Sequence, residues 1–278
     1  MILLALWGLL MTLVAVWSET PDEHVYVATD SRLSDVSGSG AYWDRASKIF
    51  QVAGFPEVVA YCGKTEPLLV AISQTAQCLR YADVLGNAGS NQTPQLLARV
   101  SAACIHLDEA IANYPKGWMG EGGSMFFAGY DHRLKYPRVF RVKVTSKGVV
   151  GKAGTKQFKH EEISFRDGPR FFGSGDTTAK TYLARGKTAF DCLKSAILGK
   201  RVKSVGGVPQ VVRIDVDGVK PVGVVWDGEP YLFGMQLQYH SKMARVEWRD
   251  KSFQTCSYPK AAKVTRIVAG KRRQRKKK

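Results

Sequence analysis

MTLVAVWSETPDEHVYVATDSR, residues 11–32, holds two short apolar runs, TLVAVW and HVYVAT, around a turn-like SETPDE. Runs of that length, rich in β-branched residues and split by a Pro/Asp turn, predict a β-hairpin. Upstream, MILLALWGLL prolongs the apolar character, and no charged side chain occurs between Met1 and Trp17. The same residues therefore also read as an export signal or a membrane anchor. Against export stand the absence of any Lys or Arg before Arg32 and a poor cleavage site, Ala15-Val16-Trp17, whose third residue is large. Against an anchor stands length, since 17 residues is the lower edge of what spans a ~30 Å hydrocarbon core. The hairpin is the reading that organises the rest of the chain; anchoring or export through residues 1–17 is the alternative.

Outward from the hairpin, a Gly/Ser-rich loop, SDVSGSG, leads to a second pair of strand-like runs, KIFQVA and EVVAYC, split by Gly54-Phe55-Pro56. Two helical segments come next. In the second, Thr93-Pro94 gives an N-cap with Pro at the first helical position, and Leu97, Val100, Cys104, Leu107 and Ile111 share a face. SMFFAGYD and RVFRVKV return to strand character, and the Gly/Lys-rich TSKGVVGKAGTK leads out of the second of them. GPRFFGSGDTTAKTYLARG reads as a strand, a tight Gly173–Gly175 turn and a helix; TAFDCLKSAIL is another helix with Thr188 as N-cap and Asp191 three residues on. VPQVVRIDV and VKPVGVVW are the last clear strands. Strands, two helices, strands, two helices, strands is an α+β order that a four-layer αββα sandwich would satisfy, two antiparallel sheets lying between two helix layers.

The order of HVYVATDSR, SKIFQV, AYCGKTEPLLVAI, MFFAGYD and FFGSGDTTAKTYLARG resembles the proteasome-type N-terminal-nucleophile hydrolase family, nearest the bacterial heat-shock ATP-dependent protease branch. The resemblance spans roughly residues 12 to 226 and rests on shared order rather than on any one motif. It implies an N-terminal Thr whose hydroxyl is the nucleophile and whose own α-amine is the base. An α-amine titrates near pH ~7.7–8.0, low enough to accept a proton at neutral pH. Thr12 matches the nucleophile, Asp30 and Lys48 the supporting pair, and the Gly63 N–H the oxyanion donor. Lys48 would lower the amine's pKa, with Asp30 holding it in place. Ser124 is the hydroxyl nearest an expected supporting serine, although an ungapped match puts Gly122 there. An Asp and a Ser expected before a late Gly-Gly pair fall on Val202 and Val205, with Ser204 one position away. This departure leaves room for a catalytically silent member of the family.

The wider composition narrows the alternatives. The 278 residues carry a net charge of +17, and seven positives lie in KRRQRKKK, residues 271–278, leaving +10 on the rest. Such a run repels itself, so residues 266–278 read as a disordered basic tail, a solvated and solubilising terminus in the first place with a patch for nucleic acid or another polyanion as the alternative, and 11–265 as one hydrolase-type domain. GKT at Gly63–Thr65 lacks the Gly that a phosphate loop needs at position 58, which is Val58. Five unpaired cysteines, with Cys78 and Cys104 expected inside helices as small buried residues, suit a reducing compartment. No His/Cys/carboxylate cluster has metal-ligand spacing, and no cofactor is implied. Expected, then, is a cytoplasmic amide or peptide hydrolase forming homo-oligomers, with a ring and an ATPase partner open. Residues 1–10 read as a doubtful extension: a misassigned start with translation beginning at Met11, with a propeptide or part of a signal or anchor as the alternatives. The alternatives are an inactive assembly or polyanion-binding protein of this fold, and a membrane-anchored or exported one.

Overall fold

The computed structural model describes residues 12–34, 41–63, 65–81, 96–115, 122–145, 147–151, 158–237 and 246–258. Residues 1–10, Met11, Thr93-Pro94 and the tail from 266 therefore lie outside the described residues. β1 (Leu13–Trp17) and β2 (His24–Thr29) form the hairpin, with Val14 opposite Thr29 and Trp17 opposite Tyr26. β3 (Leu33–Ser34) and β4 (Tyr42–Trp43) make a two-residue ladder, followed by β5 (Ile49–Gln51) and β6 (Glu57–Gly63). Next come α1 (Thr65–Leu79), α2 (Leu96–Ala112), β7 (Gly123–Asp131), β8 (Tyr136–Thr145), β9 (Gly148–Val149), β10 (His160–Glu162) and β11 (Arg170–Gly173). The chain continues through α3 (Asp176–Leu183), α4 (Ala189–Leu198), β12 (Gln210–Asp215), β13 (Gly218–Trp226), β14 (Glu229–Leu232), β15 (Met235–Gln236) and β16 (Glu247–Arg249).

Apart from the β3–β4 ladder, these strands form two large sheets. One runs β11-β1-β2-β12-β13-β14-β15, with β16 beside β13; the other runs β10-β8-β7-β6-β5, with β9 beside β8. Pairing is antiparallel throughout the two sheets except for β13 with β16, which is parallel. The hairpin thus sits in mid-sheet, flanked by β11 and β12 from far along the chain.

Burial obeys the period-2 alternation of strands. Val14 and Val16 face Ala60, Cys62 and Phe126 of the other sheet, whereas Leu13, Ala15 and Trp17 pack against Phe190, Leu193 and Ala196 of α4. A third cluster joins α1 and α2, through Ile72, Val100 and Leu107, to Tyr61, Met125 and Phe127. β1 is buried on both faces, and a strand so placed is apolar at every position. That is why the opening stretch also resembles a membrane segment. Among the described residues, no helix is long and apolar enough to cross a membrane.

Some local expectations change. On α2 the inward positions are Leu96, Arg99, Val100, Ala103, Cys104, Leu107 and Ile111, so Leu97 is exposed and Leu96 takes its place. The expected face omitted Arg99 because it is charged, and its burial shifts the stripe by one residue. Cys104 is buried as expected, but Cys78 is exposed, because α1 turns Leu79 and Ala76 rather than Cys78 to the core. Thr188 caps α4 by accepting the Asp191 N–H at 3.2 Å, as its spacing predicts.

Candidate active site

Three of the five sequence-predicted site residues meet at one corner of the eight-stranded sheet. Thr12 immediately precedes β1, Asp30 comes directly after β2, and the hairpin register returns one to the other: the Asp30 N–H donates to the Leu13 carbonyl at 3.3 Å. Lys48 enters from the residue before β5. Its Nζ donates to Thr12 Oγ1 at 3.0 Å and to Asp30 Oδ1 at 3.0 Å. All three side chains are wholly buried.

Asp30 is over-supplied with donors. Oδ1 also accepts the Leu13 N–H at 3.0 Å; Oδ2 accepts the N–H groups of Gly206 at 3.0 Å and Arg32 at 3.2 Å. Charge-assisted bonds of this kind are short and directional, so the carboxylate's orientation is fixed. Burial pushes Lys48 below the ordinary lysine range, and the Asp30 charge and hydrogen bond oppose that push. The ammonium therefore depends on Asp30 for its proton.

Two serines extend the corner. The Thr12 N–H donates to Ser174 Oγ at 3.3 Å, Ser174 Oγ reaches back to the Thr12 carbonyl at 3.4 Å, and it lies 2.9 Å from Ser204 Oγ. Ser204, rather than Val202 or Val205, occupies this place. The Val205 N–H closes a turn on the Val202 carbonyl, which sends the Val205 side chain into the α4 core and leaves Ser204 facing Ser174. Gly173, at φ 97°, lets β11 end against Thr12, since a Cβ there would meet the Thr12 carbonyl oxygen.

Gln210, at the head of β12, fixes the lysine's backbone. Its Oε1 accepts the Lys48 N–H at 2.9 Å, and its Nε2 donates to the Ala46 carbonyl at 2.5 Å. The amide thus imitates a neighbouring strand for the segment before β5. Ser174 was hidden in a turn motif that glycine alone explains, and Gln210 in an apolar run. A lone polar residue at the start of a buried strand was the signal available for it.

The other two expected residues stand differently. Gly63 ends β6 at φ 142°, with its Cα hemmed in by Gly123; the preceding Cys62 lies 3.4 Å from where a Gly173 Cβ would stand. Gly63 thus closes the strand beside the corner. Ser124 faces Cys62 across the β6–β7 ladder, but its hydroxyl accepts from Arg141 Nε at 3.0 Å and stands outside the hydrogen-bond network of Thr12. Among the described residues, no three His, Cys, Asp or Glu side chains group as a metal site.

No family model matches the chain, and no curated protein matches it. Among solved structures, the Gly-1 mutant of Anbu from Hyphomicrobium sp. strain MC1 is similar, with a TM-score of 0.53 and 13% identity. The match covers 80% of this chain and 87% of that one. At that identity the likeness is one of fold alone: mixed α and β with antiparallel sheets.

Proposed function

We propose that this chain is a proteasome-like threonine hydrolase of amide bonds, with Thr12 as nucleophile once the residues before it are removed. The observation that carries the reading is the bifurcated Lys48 ammonium, bonded at 3.0 Å to both the Thr12 hydroxyl and the Asp30 carboxylate in a wholly buried corner. The three separate core clusters support a four-layer αββα arrangement, in which the corner lies at the end of the inter-sheet layer.

The chemistry needs a free α-amine, because an amide nitrogen in a Met11–Thr12 peptide bond accepts no proton. With Thr12 first, the amine takes the Oγ1 proton as Oγ1 bonds to the substrate carbonyl carbon. Lys48 Nζ, donating to Oγ1, stabilises the developing alkoxide, and Asp30 keeps that donor charged. The carbonyl oxygen becomes an oxyanion facing the Gly63 N–H; a single donor of this type contributes on the order of 10²–10³ in rate. The amine passes its proton to the leaving nitrogen, the C–N bond breaks, and water then releases the acyl group from Oγ1. Ser174 and Ser204 orient the Thr12 nitrogen. Peptides and other small amides are the substrate class, and a cytoplasmic homo-oligomer is the assembly this reading carries.

Intact-mass measurement of the natively expressed protein, combined with a Thr-directed β-lactone, tests it. Thr12 at the amino terminus, labelled in the wild type and unlabelled in Thr12→Ala, is the expected result. An intact Met1–Thr12 segment in the fully assembled protein, with no labelling of Thr12, overturns it.

A further inference from the structure

A groove of about 860 Å³ lies on the other side of the shell that holds Asp30. It opens between the Tyr42–Arg45 segment, the turn after α4, and β13–β14. Arg32, Gly207 and Val208 line it, and Arg32 donates its backbone N–H to Asp30. The groove is thus separate from the Thr12 corner while sharing a wall with it.

Its charge is one-sided. Four cations, Arg32, Arg45, Lys200 and Lys203, line it against one carboxylate, Asp44. That carboxylate is already committed: Arg32 Nε and Nη2 grip it at 2.6 and 2.8 Å, and Arg32 Nη1 bonds the Lys203 carbonyl at 3.1 Å. Arg45, Lys200 and Lys203 are exposed and form no ion pair among the described residues. Three unneutralised cations around one concavity raise the local potential for anions. The remaining walls are apolar or aromatic, with Ile197, Leu198, Tyr42 and Tyr231 among them.

We propose that this groove binds a small phosphate-bearing ligand, a polyphosphate carried on an organic body of nucleotide size. The volume falls within the ~300–1,000 Å³ of small-molecule pockets. A single exposed ion pair contributes only about 0–1 kcal/mol, so a monocarboxylate gains little here; a ligand placing several charges near three cations gains from all of them. The exposed Tyr42 ring and the aliphatic wall formed by the end of α4 receive the uncharged part. The site stands independently of the hydrolase reading, because it uses none of the side chains of the Thr12 corner.

Calorimetric titration of the full chain with inorganic tripolyphosphate, and separately with ATP, tests the site at 150 mM salt, where diffuse attraction to residues 271–278 is screened beyond about 8 Å. Saturable one-to-one binding of tripolyphosphate is expected, weakened at least tenfold in Lys200→Ser/Lys203→Ser. It is expected to persist in Lys147→Ser/Lys159→Ser, which removes equal charge from exposed positions elsewhere. Tighter binding of ATP, with that advantage lost in Tyr42→Ala, assigns the organic body to the tyrosine wall. Equal affinities overturn the organic body and assign an inorganic polyphosphate. Unchanged binding in the Lys200/Lys203 variant, or equal loss in the control, overturns the proposal and leaves only diffuse charge.

Discussion

Two buried ion pairs sit at opposite ends of the same sheet pair, and only one of them has the makings of a reactive site. Arg99 on α2 meets Glu57 at the start of β6, its Nε 2.6 Å from both carboxylate oxygens, its guanidinium 3.5 Å over the Phe55 ring. Lys48 meets Asp30 through one 3.0 Å contact. Both pairs are at most 4% exposed. The difference lies in what remains after charge is balanced. Arg99 turns what remains toward ring and framework: Nη2 reaches the Leu79 carbonyl at 3.5 Å, and the buried Nη1 finds no hydrogen-bond partner among the described residues. Lys48 offers its spare proton to a hydroxyl. Asp30, in turn, holds three backbone N–H groups and needs its cation less than Glu57 does. Burial of charge marks both regions; a cation turned toward a buried hydroxyl marks one.

Substitutions can break that comparison. The largest effect is expected from Lys48→Met, which should lower amide hydrolysis by on the order of 10⁴-fold, the scale seen when one member of a catalytic unit is removed. Its unfolding free energy should change far less, because Asp30 retains its backbone donors. Steady-state kinetics together with urea unfolding measure both; a large stability loss with normal turnover would make Lys48–Asp30 a mere strut. Glu57→Leu is expected to do the reverse, costing about 3–5 kcal/mol by stranding Arg99, with turnover preserved below the melting point. Much of that loss should return in Glu57→Leu/Arg99→Met, which a urea titration would show.

Gln210→Leu sharpens the contrast at a smaller scale. It leaves the Lys48 N–H and the Ala46 carbonyl unpaired, at about 1–3 kcal/mol, and frees the segment that aims Lys48. Turnover should fall with it, and Gln210→Glu, which keeps the acceptor for Lys48 N–H, should recover part of the rate. The smallest effect is one of pH. Burial pushes the Cys104 thiol up to about 12, against 9 unfolded. Above pH 9 the unfolded chain therefore releases a proton that the folded chain keeps, and stability falls as pH rises through that window. From pH 9 to 10 the wild type should lose about 1 kcal/mol relative to Cys104→Ala, read from denaturation midpoints at each pH.

Much of the frame was legible in the residues. The hairpin comes from TLVAVW, SETPDE and HVYVAT, and α4 from its Thr188 cap and apolar period, since turn chemistry and periodicity are local. The short strands β10, β14, β15 and β16 were not, because two to four residues carry too little pattern to distinguish them from loop. Arg99 escaped notice because its burial depends on a partner 42 residues away.

By itself the sequence determined that Thr12 and Asp30 lie together, because an antiparallel hairpin returns its second strand's end to its first strand's beginning. It also determined the charge, the basic run at residues 271–278 and the apolar β1 that reads as strand or membrane segment alike. Only the tertiary structure decided that β1 is buried on both faces, and that Ser174, Ser204 and Gln210 gather around Thr12 and Lys48 from distant parts of the chain, Ser174 and Gln210 each 162 residues from the partner they bond. Hydrogen bonds spanning such distances leave no periodicity and no spacing in the chain, since their geometry is set by which sheet edge meets which turn.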